Sequence, residues 1–333
     1  MTRTVDVLVV CSSGGHLFDA ITIAPAWRER TRAWVSFDKP DVRSLLADER
    51  LYVAYGPTNR NLANLLRNLR LAFRVVRETR PRVLVTTGAG VAVPFAWTAR
   101  LVGARVVYVE CAGRVDRPSL SARMIAPVAT KIYAQWPELA ANWRRARYAG
   151  NTLFGPCDAA PPPGTGVLVT VGTGEARFDR LLHAVSHLDL EGERMVVQYG
   201  SSSVLPEGAD CVDFLPFDDL DALMRSARAI VCHAGIGSVA MALAHGRRPI
   251  VVPRLSEHGE AVDDHQVFFA RRLEAAGLAT VIDEPERLHA ALAGDHSAPT
   301  PDAAPDLAAA IGAALGELLG SNAESNPVTL SPI

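Results

Sequence analysis

The stretch RAIVCHAGIGSVAMALAHG, residues 228–246, decides the fold class of this 333-residue chain. An apolar run ends near His233, a short turn passes through Gly235 and Gly237, and an Ala-rich helical stretch follows at once. A continuous apolar strand followed by a glycine turn and a helix is typical of parallel sheets that helices cover on both faces. The glycines let the backbone approach a ligand and Ser238 can cap the helix, so the stretch predicts an anion site. A purely structural turn is the alternative.

The same alternation of short apolar runs and amphipathic stretches occurs in two series. Predicted strands of the first series cover residues 5–11, 33–37, 82–88, 105–111 and 131–135. Those of the second series cover residues 166–172, 194–200, 211–217, 228–235, 248–254 and 278–283. We therefore predict an α/β chain with two doubly wound, Rossmann-like parallel-sheet domains that face a cleft. Ligands of such sheets bind beyond the carboxyl ends of the strands.

Changes in composition along the chain predict the domain boundaries. Stretches that are rich in Pro and Gly, or in polar residues, interrupt the alternation and mark linkers. The predicted units are a first domain over 1–150, a linker over 151–165, a second domain over 166–295, a polar linker and C-terminal helix over 296–320, and a disordered tail over 321–333.

Composition and charge restrict the class of protein. The formal net charge is −2, so no global field attracts nucleic acid and we expect no nucleic-acid partner. The first residues show no secretory signal, and the longest weakly polar stretch, GVAVPFAWTA, is too short to span a bilayer. The cysteines are scattered, and Cys11, Cys111 and Cys232 each close an apolar strand, as buried thiols in a reducing compartment do. We expect a cytoplasmic protein that is at most attached to a membrane surface.

Glycine-rich turns follow two predicted strands of the first domain. In CSSGGHLFDAI, residues 11–21, the turn frees the backbone for an anionic ligand, and His16 on the first helical turn could reach a reacting hydroxyl. In TTGAGVAVP, residues 86–94, Gly88 and Gly90 open another helix. Tight structural turns, the first with a capping histidine, are the alternative. The strict pattern G-x-G-x-x-G is absent, which disfavours a classical NAD site.

A carboxylate ends another predicted strand of the first domain. In YVECAGRVDRPSLSARM, residues 108–124, Glu110 follows a run of Val and Tyr, and Arg114 and Ser119 lie in the loop after it. Such an acid is either a catalytic or ligand-binding group or a structural acid that pairs with a nearby arginine.

Two further loops lie at strand ends of the second domain. In VTVGTGEARFDRL, residues 169–181, Gly172 and Thr173 offer hydrogen-bond donors, and Phe178 and Leu181 are predicted to pack inward. In EHGEAVDDHQVFFARRL, residues 257–273, carboxylates, histidines and a glutamine cluster before a helix. No H-E-x-x-H pattern or His pair at helical spacing occurs there, so we expect no metal site. Carboxylate and amide acceptors suit a hydroxyl-rich ligand instead, and a solvated helix start is the alternative.

The stretch NRNLANLLRNLRLAFRVVRETRPR, residues 59–82, is predicted to form one basic helix. An apolar face, predicted to pack on the core, comprises Leu62, Leu65, Leu66, Leu69, Phe73 and Val76, and an adjacent face comprises Arg67, Arg70, Arg74 and Arg77. Such a helix can hold guanidinium groups at an anionic lipid surface, so we expect it to bind the inner face of the cytoplasmic membrane. A solvated arginine face is the alternative.

Motifs of both halves resemble one group of transferases. SSGGHL, TTGAGVAVPF, YVECAGRVDRPSLSARM and QWPEL resemble the acceptor-side subunit of the two-part N-acetylglucosaminyltransferase that acts on dolichyl-pyrophosphate sugars. VTVGT, FDRLL, VVQYGSS, DFLP, HAGIGS and the pair PR at 253–254 with GEAVDDHQ after it resemble its donor-side subunit. Bacterial relatives act in exopolysaccharide and capsule assembly, and the transferase that makes lipid II is related. Over about residues 5–290 the chain resembles a natural fusion of the two subunits, similar to glycosyltransferase family 28.

The resemblance implies a GT-B fold and an inverting, metal-independent transfer of GlcNAc or another hexose from a UDP-sugar to a polyprenyl-pyrophosphate-linked sugar, without a cofactor. It makes His16 or Glu110 the expected general base. The donor-binding residues that it implies are Gly172, Thr173, His233, Ala234, Gly235, Gly237, Ser238, Glu260, Asp264, His265 and Gln266. The acceptor-binding residues that it implies are Ser13, Gly14, Gly15, Gly88, Gly90, Arg114 and Ser119.

Two features depart from the family pattern. Met241 stands where donor-side subunits commonly have a glutamate suited to ribose hydroxyls, so either Glu260 supplies those contacts or the nucleotide preference differs. The membrane anchor of eukaryotic acceptor-side subunits is missing, so attachment is expected to rest on the basic helix and on the lipid carrier. The alternative functions are a transferase with a soluble natural-product acceptor, a UDP-sugar 2-epimerase on the same fold, and a non-catalytic sugar-nucleotide-binding subunit.

Overall fold

The structure, a computed structural model, describes residues 4–58, 61–153, 164–174, 176–299 and 305–320. Two parallel sheets form its framework. The strands of the first sheet are β1 (Val7–Val10), β2 (Arg32–Phe37), β3 (Leu51–Ala54), β4 (Val83–Thr86), β5 (Arg105–Val109), β6 (Lys131–Ala134) and β7 (Ala146–Tyr148). The strands of the second sheet are β8 (Val167–Thr170), β9 (Met195–Gln198), β10 (Asp210–Val212), β11 (Ala229–His233), β12 (Ile250–Val252) and β13 (Thr280–Val281).

Helices connect these strands. The α-helices of the first half are α1 (Gly15–Thr22), α2 (Pro40–Leu45), α3 (Leu62–Thr79), α4 (Ala92–Leu101), α5 (Leu120–Ile125) and α6 (Pro137–Asn142). Those of the second half are α7 (Asp179–Ser186), α8 (Phe217–Ser226), α9 (Ile236–Ala244), α10 (His265–Ala275), α11 (Leu288–Leu292) and α12 (Leu307–Gly320). Short 3-10 helices cover Ala24–Trp27, Ser256–His258 and Pro285–Arg287.

Both sheets are doubly wound. The strand order is β3-β2-β1-β4-β5-β6-β7 in the first sheet and β10-β9-β8-β11-β12-β13 in the second, and the paired strands are parallel. The chain winds to one side of β1 and of β8 and then crosses to the other side. Such a reversal opens a crevice at the carboxyl ends of the strands, where ligands bind. The predicted fold class of two parallel-sheet α/β domains is confirmed.

Burial on both faces explains why the strands are continuous apolar runs. Every residue of β1, β4, β8 and β9 is buried. Phe178 and Leu181 are fully buried, as predicted. Cys11, Cys111 and Cys232 are buried free thiols, also as predicted. Apolar residues therefore cover both faces of each sheet. One buried apolar cluster contains residues of both halves, among them Tyr108 and Val239.

The sequence patterns missed β3 and β7. Each is an edge strand of the first sheet, and each has only one buried residue, Ala54 in β3 and Ala146 in β7. A half-exposed strand of three or four residues carries too little periodicity to stand out from a loop.

The predicted packing face of α3 is confirmed at Val76, which is buried, and wrong at its exposed leucines and phenylalanine. Leu62 and Phe73 are 69% and 51% exposed, whereas Asn64 and Asn68 are buried. Asn68 holds the backbone of the preceding loop through bonds of 2.9 and 2.8 Å with the N–H and the carbonyl of Tyr55. The inward side of α3 carries the asparagines that bind this loop. Several apolar side chains of α3 therefore face outward beside the arginines. Residues 59–60 of the predicted helix lie outside the described residues.

The C-terminal helix α12 packs on the first sheet. Ile311, Leu315 and Leu318 share an apolar cluster with Trp27 and Trp34. The chain therefore returns to its first half after it has built the second. Residues 154–163 of the predicted linker, residues 300–304 and the predicted tail at 321–333 lie outside the described residues, and the predicted domain boundaries stay a prediction.

Side chains of the two halves meet near the ends of the strands. Arg272 Nε of α10 lies 2.9 Å from Glu138 Oε1 of α6, and its guanidinium carbon lies 4.6 Å from the ring centre of Trp136. Arg114 Nη2, in the loop after β5, lies 3.4 Å from Asp263 Oδ2. Among the helices of the described ranges, none has the length and hydropathy that crossing a bilayer requires.

Candidate active site

The loops at the carboxyl ends of the two sheets form the walls of one cleft. Ile236, the first residue of α9, reaches the first domain. A Cβ on Gly15 would lie 3.1 Å from the Cβ of Ile236, and a Cβ on Gly113 would lie 3.1 Å from its Cδ1. A Cβ on Gly14 would lie 3.5 Å from Thr173 Oγ1 in the loop after β8. The predicted turn after β1 therefore faces two of the predicted donor loops.

His16 lies on the first turn of α1 in a defined tautomer. Its Nδ1 lies 2.8 Å from the carbonyl oxygen of Thr87, and Thr87 Oγ1 donates to the carbonyl of His16 at 2.8 Å. Because a carbonyl oxygen only accepts, Nδ1 carries the proton and Nε2 keeps its lone pair. Burial, together with Arg114 and His265, lowers the pKa of His16 to about 4. The imidazole is therefore neutral near pH 7, and its Nε2 is unprotonated.

Glu110, the other expected base, is fully buried and surrounded by donors. Its carboxylate accepts from Tyr108 Oη at 2.9 Å, from Cys111 N at 3.1 Å, and from Ser119 N and Oγ at 2.8 and 3.2 Å. Burial raises the pKa of Glu110, and these hydrogen bonds oppose the rise. The carboxylate has no exposed surface for a substrate hydroxyl. Glu110 therefore holds the loop after β5. The roles of His16 and Glu110 as a base stay predictions.

His233 is the last residue of β11, and its ring packs between Gly172 and Gly235. A Cβ on Gly172 would lie 2.2 Å from His233 Cε1, and a Cβ on Gly235 would lie 2.0 Å from its Nε2. Gly172 also has a φ of 76°, so this position requires glycine on two grounds. Burial, followed by the charges of Arg254 and His265, lowers the pKa of His233 to about 3. The ring is a neutral hydrogen-bonding group at the edge of the cleft.

The start of α9 offers backbone donors to an anion. Gly235 is the N-cap, and no side chain in the described part of the chain caps the helix. The predicted cap by Ser238, the third residue of α9, is therefore wrong. The first N–H groups, at Ile236–Ser238, therefore have no partner within the helix. A Cβ on Gly237 would meet no atom within 4 Å, so there is open space beside these groups. Ala234 is buried and holds the turn against the sheet.

The carboxylates of the predicted donor loop are engaged within the protein. Glu260 is 5% exposed, and it accepts from Arg180 Nε and Nη2 at 3.1 and 3.0 Å and from Leu255 N at 3.0 Å. Asp264 Oδ1 accepts from Ser256 N at 2.9 Å. These bonds fix the shape of the loop, and contacts of Glu260 with a ribose stay a prediction.

The other two predicted residues of this loop join it to its surroundings. Gln266 Oε1 accepts from Arg254 N at 3.1 Å. His265 Nδ1 contacts Asp263 Oδ1, and Asp263 also faces Arg114 across the cleft. Within the described part of the chain, no three His, Cys, Asp or Glu side chains form a group that could hold a metal ion.

Most of the remaining predicted acceptor residues line the wall of the first domain. Gly14 N donates to Asp41 Oδ2 at 2.7 Å, so this N–H of the turn already binds a carboxylate. A Cβ on Gly88 would lie 3.5 Å from Cε1 of the imidazole on α1, and a Cβ on Gly90 would lie 3.1 Å from Thr58 Oγ1. Ser13 is half-buried beside them.

Arg254 is a residue of the site that the sequence patterns missed. Its guanidinium donates to four carbonyl oxygens at 2.9 to 3.3 Å, those of Val171, Ala176, Arg177 and Glu260. The guanidinium carbon also lies 4.7 Å from the ring centre of Phe178. Burial lowers the pKa of Arg254 to about 10, so the group stays charged. A charged residue at the end of the apolar run RPIVVPR is the signal that could have found it.

Comparisons with known protein families match both halves of the chain. The model of the glycosyltransferase family 28 C-terminal domain matches residues 166–310, and the model described as oligosaccharide biosynthesis protein Alg14 like matches residues 57–152. The predicted resemblance to an acceptor-side unit fused to a donor-side unit is confirmed.

Curated relatives match across both halves. A UDP-N-acetylglucosamine--N-acetylmuramyl-(pentapeptide) pyrophosphoryl-undecaprenol N-acetylglucosamine transferase of Acidithiobacillus ferrooxidans is 27% identical over 302 residues, which are 81% of this chain and 81% of that protein. The protein of the same name from Cupriavidus metallidurans is 25% identical over 318 residues, 86% of each chain.

Solved structures confirm the GT-B fold. MurG of Acinetobacter baumannii has a TM-score of 0.54 and 19% identity, over 86% of this chain and 90% of its own. MnaA of S. aureus, solved with UDP, has a TM-score of 0.65 and 12% identity, over 99% of this chain and 100% of its own. At these identities the likeness concerns the fold alone.

Proposed function

Because the chain joins an Alg14-like N-terminal half to a glycosyltransferase family 28 C-terminal domain, we propose that it transfers GlcNAc or another hexose from a UDP-sugar to a polyprenyl-pyrophosphate-linked sugar. One observation carries this function. His16, whose Nε2 is unprotonated, lies on the wall of the cleft that faces the uncapped start of α9. Transfer to a hydroxyl needs a base on one side of the anomeric carbon and a site for the departing anion on the other.

The proposed reaction is an inverting displacement. The acceptor hydroxyl gives its proton to His16 Nε2 while its oxygen attacks the anomeric carbon of the donor sugar. The bond from that carbon to the diphosphate breaks, and UDP leaves with the electron pair. The N–H groups of Ile236–Ser238 and the dipole of α9 stabilise the charge on UDP. One such preorganised donor is worth about 3 kcal/mol in comparable oxyanion sites.

Two groups of the second domain support the departing diphosphate. Arg254 keeps a positive charge beneath the loop after β8, close enough to lower the pKa of His233. His233 is neutral and can donate one hydrogen bond to a phosphoryl oxygen. These groups and the start of α9 stabilise the negative charge of the diphosphate, as a divalent cation would. We therefore propose a metal-independent reaction. EDTA should leave the rate unchanged, and a loss that magnesium restores would overturn this part of the proposal.

The loop after β5 is proposed to hold the acceptor. Glu110 fixes both ends of this loop through Cys111 and Ser119, and Arg114 projects from it into the cleft toward Asp263. A guanidinium at this place suits the diphosphate of a lipid-linked sugar, which carries negative charge. The acceptor sugar would then lie between the loop and His16.

An anionic membrane fits the face formed by α3, α4 and α5, which we call the α3–α5 surface. Its exposed apolar residues are Leu62, Leu66, Phe73, Trp97, Leu101, Leu120 and Met124, and its exposed arginines on α3 are Arg67, Arg70, Arg74 and Arg77. Trp97 Nε1 donates to Met124 O at 3.0 Å and so joins α4 to α5. Apolar side chains among guanidinium groups bind the head-group boundary of anionic bilayers. The enzyme would act on the inner face of the cytoplasmic membrane, where it would meet the lipid carrier.

Product analysis with matched substrates tests this function. The protein is incubated with UDP-GlcNAc or other UDP-hexoses, with and without a polyprenyl-pyrophosphate-linked sugar. The mass of the lipid-linked product is then measured by mass spectrometry. We expect one added hexose or GlcNAc only when both substrates are present. Conversion of the sugar nucleotide without acceptor would identify a 2-epimerase instead, and transfer to soluble acceptors alone would contradict the lipid-linked substrate.

A further inference from the structure

A second carboxyl of α1 lies inside the first domain. Asp19 follows His16 by one helical turn and is completely buried. Its Oδ1 lies 2.6 Å from Thr152 Oγ1, and its Oδ2 lies 3.4 Å from Ala112 N. The transfer reaction described above makes no use of this carboxyl. Burying a carboxyl group costs free energy unless the group is hydrogen-bonded, so the contacts of Asp19 need a physical explanation.

Asp19 joins three segments that shape the cleft. Thr152, which lies just after β7, donates through its N–H to Gln135 Oε1 at 2.7 Å, and its hydroxyl lies 2.9 Å from the same oxygen. Gln135 Nε2 in turn donates to the carbonyl of Glu110 at 3.1 Å. The helix that carries the base, the loop after β5 and the end of the first domain are therefore connected through one chain of hydrogen bonds.

The surroundings of Asp19 contain no cation that pairs with it within the described residues. The ionisable groups that face it are Glu110 and Cys111 from the loop after β5 and Cys11 from the end of β1. The two helical segments packed on α1, α9 and the 3-10 helix Ala24–Trp27, contain no ionisable side chain. Burial raises the pKa of Asp19 to about 7, although the hydrogen bonds from Thr152, Gln135 and Ala112 oppose the rise.

We propose that Asp19 is a positioning residue for the transfer reaction, whose ionised carboxylate holds α1 against Ala112 and Thr152 and thereby orients His16. This inference rests on the proposed function. The ionised carboxylate accepts from both the Ala112 N–H and the Thr152 hydroxyl. Once protonated, it donates toward Thr152, and the Thr152 hydroxyl turns to Gln135. The tie between α1 and the loop after β5 is then weaker.

The pH dependence of kcat distinguishes Asp19 from His16. The pKa of His16 is about 4, so its base form is complete well below neutrality. We therefore expect an inflection of kcat near pH 7, with the rate rising toward higher pH, and assign it to Asp19. His16 would be the usual candidate for such an inflection.

The test compares the wild-type enzyme with Asp19→Asn and Thr152→Val. Asp19→Asn keeps the shape but cannot ionise, so we expect kcat at pH 8 to fall about tenfold to a hundredfold, as for a misplaced catalytic group, and the inflection near pH 7 to vanish. KM for the UDP-sugar should change less than about twofold. Thr152→Val removes a hydrogen bond that favours the ionised form, so the inflection should move to higher pH. Thr79→Val, which removes a buried hydroxyl inside α3, is the matched control and should leave the profile unchanged.

Thermal unfolding without substrates gives a second readout. The folded-state pKa of about 7 exceeds the ordinary 3.8, so the folded protein binds more protons than the unfolded chain between these values. The free energy of unfolding therefore falls as pH rises through this window, and Asp19→Asn should lack this fall. An inflection that persists in Asp19→Asn but disappears in Glu110→Gln would overturn the proposal, as would unchanged stability profiles. Absence of transfer with every acceptor would contradict the proposed function instead, because the stability profile does not depend on it.

Discussion

Ile236, the first residue of α9, lies directly against Gly15, the first residue of α1, because a Cβ on Gly15 would be 3.1 Å from the Cβ of Ile236. The helix that carries His16 and the helix whose start is open to an anion therefore begin at one point of contact. This contact sets the distance between the proposed base and the proposed leaving-group site.

A side chain on Gly15 should separate these two helix starts. We expect Gly15→Val to lower kcat about a hundredfold, since a displacement near 1 Å costs that much in a positioned reaction. UDP binding to the second domain should persist. Ile236→Gly in the same chain removes the Cβ, Cγ1 and Cδ1 atoms that the new side chain would meet, and should recover much of the rate. A double variant as slow as Gly15→Val, measured by product formation, would contradict a role for this contact.

Removal of the proposed base should affect the chemical step. His16→Ala should lower kcat between about a hundredfold and ten-thousandfold, the range for general bases, and leave the Kd for UDP nearly unchanged in calorimetry. His16→Gln is the control for packing, because it keeps a polar side chain but no basic nitrogen. It should be as slow as His16→Ala. Normal turnover by either variant would dismiss His16 as the base.

Glu110 should act through the loop that it holds. Glu110→Ala leaves the buried donors of Tyr108, Cys111 and Ser119 without their acceptor, so we expect transfer to be strongly reduced while UDP binding survives. The loss of stability should exceed about 1–3 kcal/mol, the cost of leaving one buried donor unsatisfied, because three residues lose their acceptor. Chemical denaturation with enzyme assays measures both effects. If Glu110→Ala kept full stability and lost only kcat, a direct catalytic role would be indicated.

The arginines of α3 should govern membrane binding. Reversing Arg70, Arg74 and Arg77 to Glu should abolish sedimentation with vesicles that contain anionic lipids, because each basic residue near such a surface contributes about 1 kcal/mol. Turnover of a short-chain, water-soluble acceptor should be retained. Arg194→Glu, an exposed arginine of the second domain, is the matched control and should bind vesicles like the wild type. Equal binding by the triple variant would exclude the α3–α5 surface.

Local sequence patterns predicted the framework and the strand-end loops because both depend on residues close together in the chain. Apolar runs such as VLVT over Val83–Thr86 and the glycine turn at Gly235 identify strands and helix starts without tertiary information. The packing face of α3 could not be predicted in this way. Its inward positions carry Asn64 and Asn68, and only the loop that they bind explains why polar residues face the core.

The environment of the site residues could also not be predicted from the sequence. Glu110 is predicted at a strand end, yet its enclosure depends on Ser119, nine residues on. Arg254 donates hydrogen bonds to carbonyl oxygens of a loop about 80 residues earlier in the chain. Asp19 accepts a hydrogen bond from Thr152, which lies at the other end of the first domain. Such long-range partners leave no periodic signal in one sequence, so the chemistry of these buried groups becomes visible only in the fold.

The most direct test of the account is a crystal structure of the protein with bound UDP. We expect the diphosphate within hydrogen-bond distance of the N–H groups of Ile236–Ser238. The β-phosphate oxygen that would carry the sugar should point toward His16 Nε2. Substitution of His233 or Gly237 should then weaken UDP binding in calorimetry. A diphosphate bound away from the start of α9, or no binding of UDP at all, would contradict the central claim.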